Sequence, residues 1–514
     1  MKTIRTFVLF VVLAFVSVSA CAQQPAFIKD SLDTYISREM KNWELPGMAV
    51  AIVKDGKVVV SKGYGVKEAG KNDPVNDETL FQIASCSKAF TSTALAMLHV
   101  EKKLSLDDTV RRWMPGFRMK DQLATRQVTI RDLLCNRLGL MTFQGDMVHW
   151  GSDLTRQQII DLMAMHEPQF GFRARYGYCN AAFLVAGEII PLVTGISWDD
   201  YVSRNFFSPL GMTRSSTTST MMMKDNNVCK PHSKWNGQQI VLPYDNIDNL
   251  GPAASIVSCV KDLTAWIRCQ LDSGKFNGKQ IIPFAALQET RMPHTIMNDP
   301  SSLFPGMHFQ MYGLGWQMAD FYGKKIYYHG GAADGFLSHV CFVPELNLGF
   351  VILTNSDQNS LYTALRYQIL DAYCGNPYRN YSSIFLSNTK KNEAAEAKQI
   401  AEWEKKANEK KPLPFNAKEL IGAYRNPVYG QMTIDIDATG NFTAFFEHHK
   451  QIRATVRYMS DSTFIINYNT PMWGIRTMTV HLEQGKPESI TLFINEFVDY
   501  MPYTFRKYRA ATPK

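Results

Sequence analysis

Two β-rich stretches far apart in the chain constrain its fold more than any other feature. Residues 44–66, ELPGMAVAIVKDGKVVVSKGYGV, hold two apolar runs around Lys54-Asp55-Gly56-Lys57, and Asp-Gly is a strong hairpin signal. Residues 325–354, KIYYHGGAADGFLSHVCFVPELNLGFVILT, hold three more such runs, separated by Gly330-Gly331 and by Pro344-Glu345-Leu346-Asn347. That is the pattern of an antiparallel meander. The intervening chain reads as helical. Phe81 to Val100, FQIASCSKAFTSTALAMLHV, is rich in Ala and Leu with no Gly or Pro, which predicts a buried helix from about Ser85. Asn180 to Val193 predicts another, with Pro191 near its end. Strands at both ends of a long segment, with helices between, predict an α+β domain with helices packed on an antiparallel sheet.

The chain has 514 residues, enough for a large domain and a smaller one. Residues 389–411, TKKNEAAEAKQIAEWEKKANEKK, are charged, Ala-rich and nearly free of β-branched residues. They read as a solvated helical linker closed by Pro412 and Pro414. From about residue 416 short alternating runs follow, such as Met432 to Ile436, Phe442 to Phe446, Thr463 to Tyr468, Arg476 to Leu482 and Ser489 to Ile494. With no helical period among them, they predict a small all-β barrel. The expected division is 25–385 for the main domain, 386–412 for the linker and 413–511 for the barrel.

The N-terminus reads MKTIRTFVLFVVLAFVSVSACAQQ. Lys2 and Arg5 form a basic start, and the apolar run Phe7 to Val16 is too short to cross a bilayer. Residues 1–22 are therefore expected to be a secretory signal peptide. Val18-Ser19-Ala20-Cys21 resembles a bacterial lipobox, which would put a lipid anchor on Cys21. Ala20-Cys21-Ala22 equally fits ordinary cleavage after Ala22. Either way the protein is expected to be exported to the bacterial periplasm or outer envelope, lipid-anchored or soluble. Removing Lys2 and Arg5 lowers the formal charge from +8 to +6. That is weak for this length and lacks dense basic runs, so nucleic acid is excluded as an expected partner. Eight cysteines remain after Cys21. They show no disulfide framework and are expected to be buried thiols. No CxxC or HExxH pattern is present, so no metal and no cofactor are expected.

Three short patterns carry the chemistry. In Ser85-Cys86-Ser87-Lys88, residues i and i+3 share a helix face, placing an amine beside a hydroxyl. The helix N-terminus and desolvation both favour a neutral lysine, which can act as base to a serine nucleophile. Alone the pattern is weak, since Ser258/Lys261 and Ser387/Lys390 match it too. Only Ser85 opens a long apolar helix. In Tyr178-Cys179-Asn180, just before the second helix, a phenol can shuttle protons and an amide can donate to a substrate carbonyl. Tyr244-Asp245-Asn246 and Tyr378-Arg379-Asn380 compete with it. The third pattern is His329-Gly330-Gly331 at the end of a predicted strand, where glycines let a ligand approach the backbone. His149-Trp150-Gly151 is its competitor.

In order and spacing, these three marks resemble those of the penicillin-binding-protein and class C β-lactamase superfamily: S-x-x-K, Y-x-N, and a K-T-G or H-x-G strand. Further similar segments are Leu45-Pro46-Gly47-Met48-Ala49-Val50, Leu104 to Asp108 with Val110, and Thr129 to Leu134 followed by Leu138-Gly139-Leu140. The resemblance covers about residues 28–375. It implies a β-lactamase/transpeptidase-like fold with an all-helical subdomain. The tail resembles the small lipocalin-like barrel appended to some D-amino-acid peptidases, where it would cover the site or mediate oligomers.

The resemblance also implies roles. Ser85 would attack a carbonyl and form an acyl-enzyme, with Lys88 and Tyr178 moving the proton. Asn180 would contact the substrate amide and His329 would line the site with Gly331. The backbone N–H groups of Ser85 and Ala332 would form an oxyanion hole. His329 stands where many β-lactamases have Lys, and a neutral imidazole recognises a carboxylate less well. Asn136 and Leu138 stand where relatives often have His and Ser. Cys86 and Cys179, at the variable positions of two motifs, are expected to be small core residues. The expected activity is an exported serine hydrolase acting on peptides, amides or esters, D-amino-acid-containing peptides among them. A carboxylesterase, a β-lactamase and a penicillin-binding sensor without turnover are the alternatives.

Overall fold

The computed structural model describes residues 24–297, 304 and 306–509; the expected signal peptide and Cys21 lie outside them. The chain builds one eight-stranded sheet, helices on both its faces, and a separate closed barrel. The helices named here are α1 (Leu32–Trp43), α2 (Lys88–Val100), α3 (Asn180–Thr194), α4 (Val260–Leu271), α5 (Leu361–Cys374) and α6 (Tyr381–Asn408). The sheet strands are β1 (Gly47–Lys54), β2 (Lys57–Gly65), β3 (Thr295–Ile296), β4 (Gln310–Tyr312), β5 (Gln317–Phe321), β6 (Lys324–Ala333), β7 (Phe336–Val343) and β8 (Leu348–Thr354). Their order is β2-β1-β8-β7-β6-β5-β4-β3.

The two β-rich stretches of the sequence thus meet within one sheet, where β1 pairs antiparallel with β8 from Met48 opposite Thr354 to Lys54 opposite Leu348. Alternation along β1 explains the burial on both faces. Ala49, Ala51 and Val53 join a core with α2 and α4, whereas Met48, Val50 and Ile52 join a second core with α1 and α5. A strand buried on both sides reads as a continuous apolar run. Phe90 of α2 stacks on Trp266 of α4 at 4.1 Å, which ties the two helices over the sheet.

The meander differs from expectation in one respect. Gly330-Gly331 does not separate two strands: β6 runs through both to Ala333, and the turn falls at Asp334-Gly335. Gly335 carries a φ of +73°, which supplies the turn conformation. Helix α6 begins at Tyr381, before the stretch 386–412 in which the sequence placed a linker, because Tyr381 joins the core of α1 and α5 and the Ser382 hydroxyl bonds to Trp43 and Glu39 of α1. The barrel comprises β9 (Gly422–Asn426), β10 (Gly430–Ile436), β11 (Phe442–Phe446), β12 (Arg453–Ser460), β13 (Thr463–Tyr468), β14 (Ile475–Glu483), β15 (Lys486–Leu492) and β16 (Tyr503–Lys507). It is an antiparallel meander closed by β9 pairing with β16. Cys86, Cys135, Cys179, Cys229, Cys259, Cys269 and Cys341 are buried free thiols, and Cys374 is half-buried.

Candidate active site

The turn before α2 presents a single serine. Ala84 adopts φ +45°, a region non-glycine residues enter at a cost of roughly 1–3 kcal/mol, held only where the surroundings demand it. The 3-10 turn Ala84–Ser87 that follows leaves Ser85 half-exposed, while Ala84, Cys86, Ser87 and Lys88 are buried. Side-chain hydrogen bonds fasten this turn to the sheet. The Ser338 hydroxyl donates to the Ile83 carbonyl at 2.6 Å, and the Cys86 thiol donates to the His329 carbonyl at 3.3 Å. Burial pushes the thiols of Cys86 and Cys179 up to about 12, so both pack as inert core groups.

Lys88 lies one turn behind Ser85, with Nζ 3.0 Å from the serine Oγ. Its amine donates to Asn180 Oδ1 at 2.6 Å and to the Ala253 carbonyl at 3.0 Å. Burial pulls Lys88 down from 10.5 to about 7, against the opposing attraction of the Asp146 carboxylate. Tyr178 precedes α3 and lines the same cavity as Ser85. Lys88 Nζ sits 4.8 Å from its ring centroid. Burial raises the phenol far above its ordinary value, so Tyr178 is a neutral hydroxyl at working pH.

Strand β6 closes the opposite wall. A Cβ on Gly331 would lie 2.1 Å from the Ile83 carbonyl oxygen, 2.4 Å from Ser338 Oγ and 3.0 Å from the Ser85 amide nitrogen. The glycine therefore admits the protein's own turn that bears Ser85. His329 is buried, and desolvation lowers it to about 3. Its Nδ1 lies 2.6 Å from the Gly330 carbonyl, which can only accept, so Nδ1 carries the proton and Nε2 accepts from the Tyr312 hydroxyl at 2.9 Å. Beyond Tyr328, which pairs with Gln317 of β5, β6 has no strand on that side among the described residues. Residues 329–332 form this free edge, and Ala332 is exposed on it.

The structure brings every expected site residue together. Ser85, Tyr178, Asn180, His329, Gly331 and Ala332 line one cavity of about 1040 Å³, and Lys88 stands directly behind Ser85. The competing patterns lie elsewhere. Lys261 pairs with Glu78 on the surface, and Ser258 bonds to Ser215. Ser387 and Lys390 are exposed on α6. The Tyr244 hydroxyl donates to the Cys229 carbonyl, and Tyr378 is exposed.

Several supporting residues escaped the sequence reading. Asp146 accepts from Asn180 Nδ2 at 2.5 Å and from His149 Nε2 at 3.0 Å. His149 belongs to the competing H-x-G pattern and so takes part in the network behind Lys88. Asn136, a departure from the family pattern, adopts φ +56°, and its Oδ1 accepts the Cys179 N–H at 3.1 Å. Asn tolerates that conformation well. It steadies the backbone beside Tyr178.

The barrel also reaches the site. Phe497 and Tyr500 line the cavity. Tyr500 stacks on Phe143 at 5.5 Å, and Phe143 meets the Tyr178 ring edge-on at 5.4 Å. Asp499 accepts the Gly145 N–H at 2.8 Å, next to Asp146, and His449 Nε2 donates to the Met147 carbonyl at 2.7 Å. No sequence signal could have joined these residues to a motif so far away in the chain.

The Beta-lactamase family model matches residues 32–373. Protein flp of Staphylococcus aureus (strain COL) is 26% identical over 362 residues, 69% of this chain and 68% of that protein. Among solved structures, the octameric penicillin-binding protein homologue from Pyrococcus abyssi superposes with a TM-score of 0.59 at 19% identity, covering 93% of this chain and 99% of that one. A D-stereospecific amidohydrolase from Streptomyces sp. superposes at 0.53 and 22% identity, covering 67% of this chain and 99% of that one. Superposition over nearly the whole length places the barrel within the shared architecture. With its sheet, its helices and the matched segment in agreement, the chain belongs to the Beta-lactamase family.

Proposed function

We propose that the protein is an exported serine hydrolase that acts through an acyl-enzyme on Ser85, with peptides, amides or esters as substrates, D-amino-acid-containing peptides among them. The observation that carries the reading is the hydrogen-bond arithmetic at Lys88. A neutral amine has two N–H bonds and one lone pair. The two N–H bonds are taken by Asn180 Oδ1 and the Ala253 carbonyl, both acceptors. The lone pair is left to accept the proton of Ser85 Oγ, 3.0 Å away.

The steps follow. Ser85 Oγ attacks the carbonyl carbon and its proton passes to Lys88. The N–H groups of Ser85 and Ala332 receive the oxyanion. As the tetrahedral intermediate collapses, the proton travels through the Tyr178 hydroxyl to the leaving amine or alcohol. Water then attacks the acyl-enzyme by the same route and frees the acid. The neutral His329 offers no cation, which favours a peptidase or esterase over a dedicated β-lactamase.

Labelling with a fluorophosphonate and a fluorescent penicillin, followed by peptide mass spectrometry, should place the adduct on Ser85. D-amino-acid amides, p-nitrophenyl esters and nitrocefin assayed side by side rank the substrate classes. Undiminished turnover by Ser85→Ala would sink the proposal.

A further inference from the structure

The cavity does not stop at the catalytic face of the sheet. It passes over the free edge of β6 and continues on the α1/α5 face, where His339, Tyr362, Thr363 and Arg366 line it. Side chains alternate along a strand, so Gly330 faces this side, and with no side chain it leaves the edge bare.

Arg366 of α5 is only 7% exposed. Its guanidinium lies over the rings of Tyr328 at 4.5 Å and Tyr367 at 4.2 Å. Its Nε has no hydrogen-bond partner, and no carboxylate among the described residues forms an ion pair with it. The neighbouring His339 is 2% exposed, and its Nε2 is likewise unpartnered. A buried charge is tolerated where something pairs with it, and a guanidinium carries five N–H donors in a fork that fits a carboxylate. The other cavity arginines differ. Arg137 and Arg173 are already paired with Asp132, and Arg175 is exposed over the Phe170 ring.

We infer that Arg366, with His339, forms an anion subsite around the edge of β6 that holds a carboxylate of the substrate beyond the scissile bond. The inference rests on the hydrolase reading above and narrows its substrates to acids. It supplies from helix α5 the positive charge that His329 does not carry on the strand. One guanidinium matches one carboxylate, and the neutral imidazole of His339 adds a donor without a second charge.

The test compares N-acetyl-D-alanyl-D-alanine with its C-terminal amide. Isothermal calorimetry on the full Ser85→Ala chain reads binding without turnover. The acid should bind about ten- to a hundredfold tighter than the amide, as expected of hydrogen bonds to a charged group. Adding Arg366→Met should erase the preference, Arg366→Lys should keep part of it, and Arg175→Met should keep it whole. A thermal melt checks folding of each variant, and the acid–amide comparison in the chain with Arg366 intact decides the matter should Arg366→Met misfold. Equal binding, binding of neither probe, or a preference that survives Arg366→Met or vanishes with Arg175→Met overturns the subsite. Failure of the hydrolase reading would show separately, as absence of a Ser85 adduct.

Discussion

Replacing Lys88 with methionine removes the buried amine and keeps most of its volume. Lys88 titrates near 10.5 in water and near 7 in the fold, so the unfolded chain binds its proton more tightly. Stability then rises with pH between these values, at roughly 1.4 kcal/mol per pH unit. The amine costs folding about 4 kcal/mol at pH 7 and about 2 kcal/mol at pH 9, and the penalty fades above 10.5. Methionine has no such term. It also leaves Asn180 Oδ1 and the Ala253 carbonyl without their donor, a loss of about 1–3 kcal/mol each that does not vary with pH over this range. Whatever the offset, the stability of Lys88→Met relative to the natural chain should fall by about 2 kcal/mol from pH 7 to pH 9. Urea unfolding of both proteins at the two pH values measures this directly. Hydrolysis of a p-nitrophenyl ester should fall at least about a thousandfold in the variant. A stability difference that is the same at both pH values would refute the neutral-amine argument, even if activity were lost.

The same titration predicts that kcat/KM of the natural enzyme rises through about pH 7 as Lys88 loses its proton; a flat profile from pH 6 to 8 counts against Lys88 as base. Tyr178→Phe removes the cavity hydroxyl proposed to carry the proton and should lower kcat by about 10²–10⁴ with KM little changed, read from steady-state kinetics. Gly331→Ala forces a methyl against the Ile83 carbonyl and Ser338, so labelling of Ser85 by a fluorophosphonate should be abolished and stability should drop by about 1–3 kcal/mol. Asp499→Ala frees the Gly145 N–H beside Asp146, and kcat should fall roughly tenfold as the support behind Asn180 loosens.

What the sequence discloses is what repeats a local rule. The apolar alternation of β1 and the meander of β6 to β8 are period-2 patterns, and the Ser85/Lys88 pairing is helix geometry. The closed barrel is legible as a class, and β12 and β16 also alternate, with Ala454, Val456 and Tyr458 and with Tyr503 and Phe505 interleaved with polar residues, whereas β9 shows no such alternation. The partners that tune Lys88 were hidden because they act across the chain. Asp146 sits in a 3-10 turn with no motif, and Ala253 contributes only a carbonyl. His149 looked like a rival to His329 because sequence cannot tell which imidazole faces a carboxylate and which a phenol. Gly331 was assigned to substrate access, whereas the group that needs the space is the turn bearing Ser85.

Helix α6 turns the distance between the two domains into a matter of phase. Its 28 residues span about 42 Å at 1.5 Å per residue, and Glu404 and Glu396 clamp its far half to Arg457 and Arg476 of the barrel. One residue inserted in its exposed middle would lengthen the rod only slightly but swing everything beyond it by about 100°, carrying Phe497 and Tyr500 off the cleft. The length of this rod is therefore a heritable dial on the shape of the cleft, set without changing a single residue that lines it.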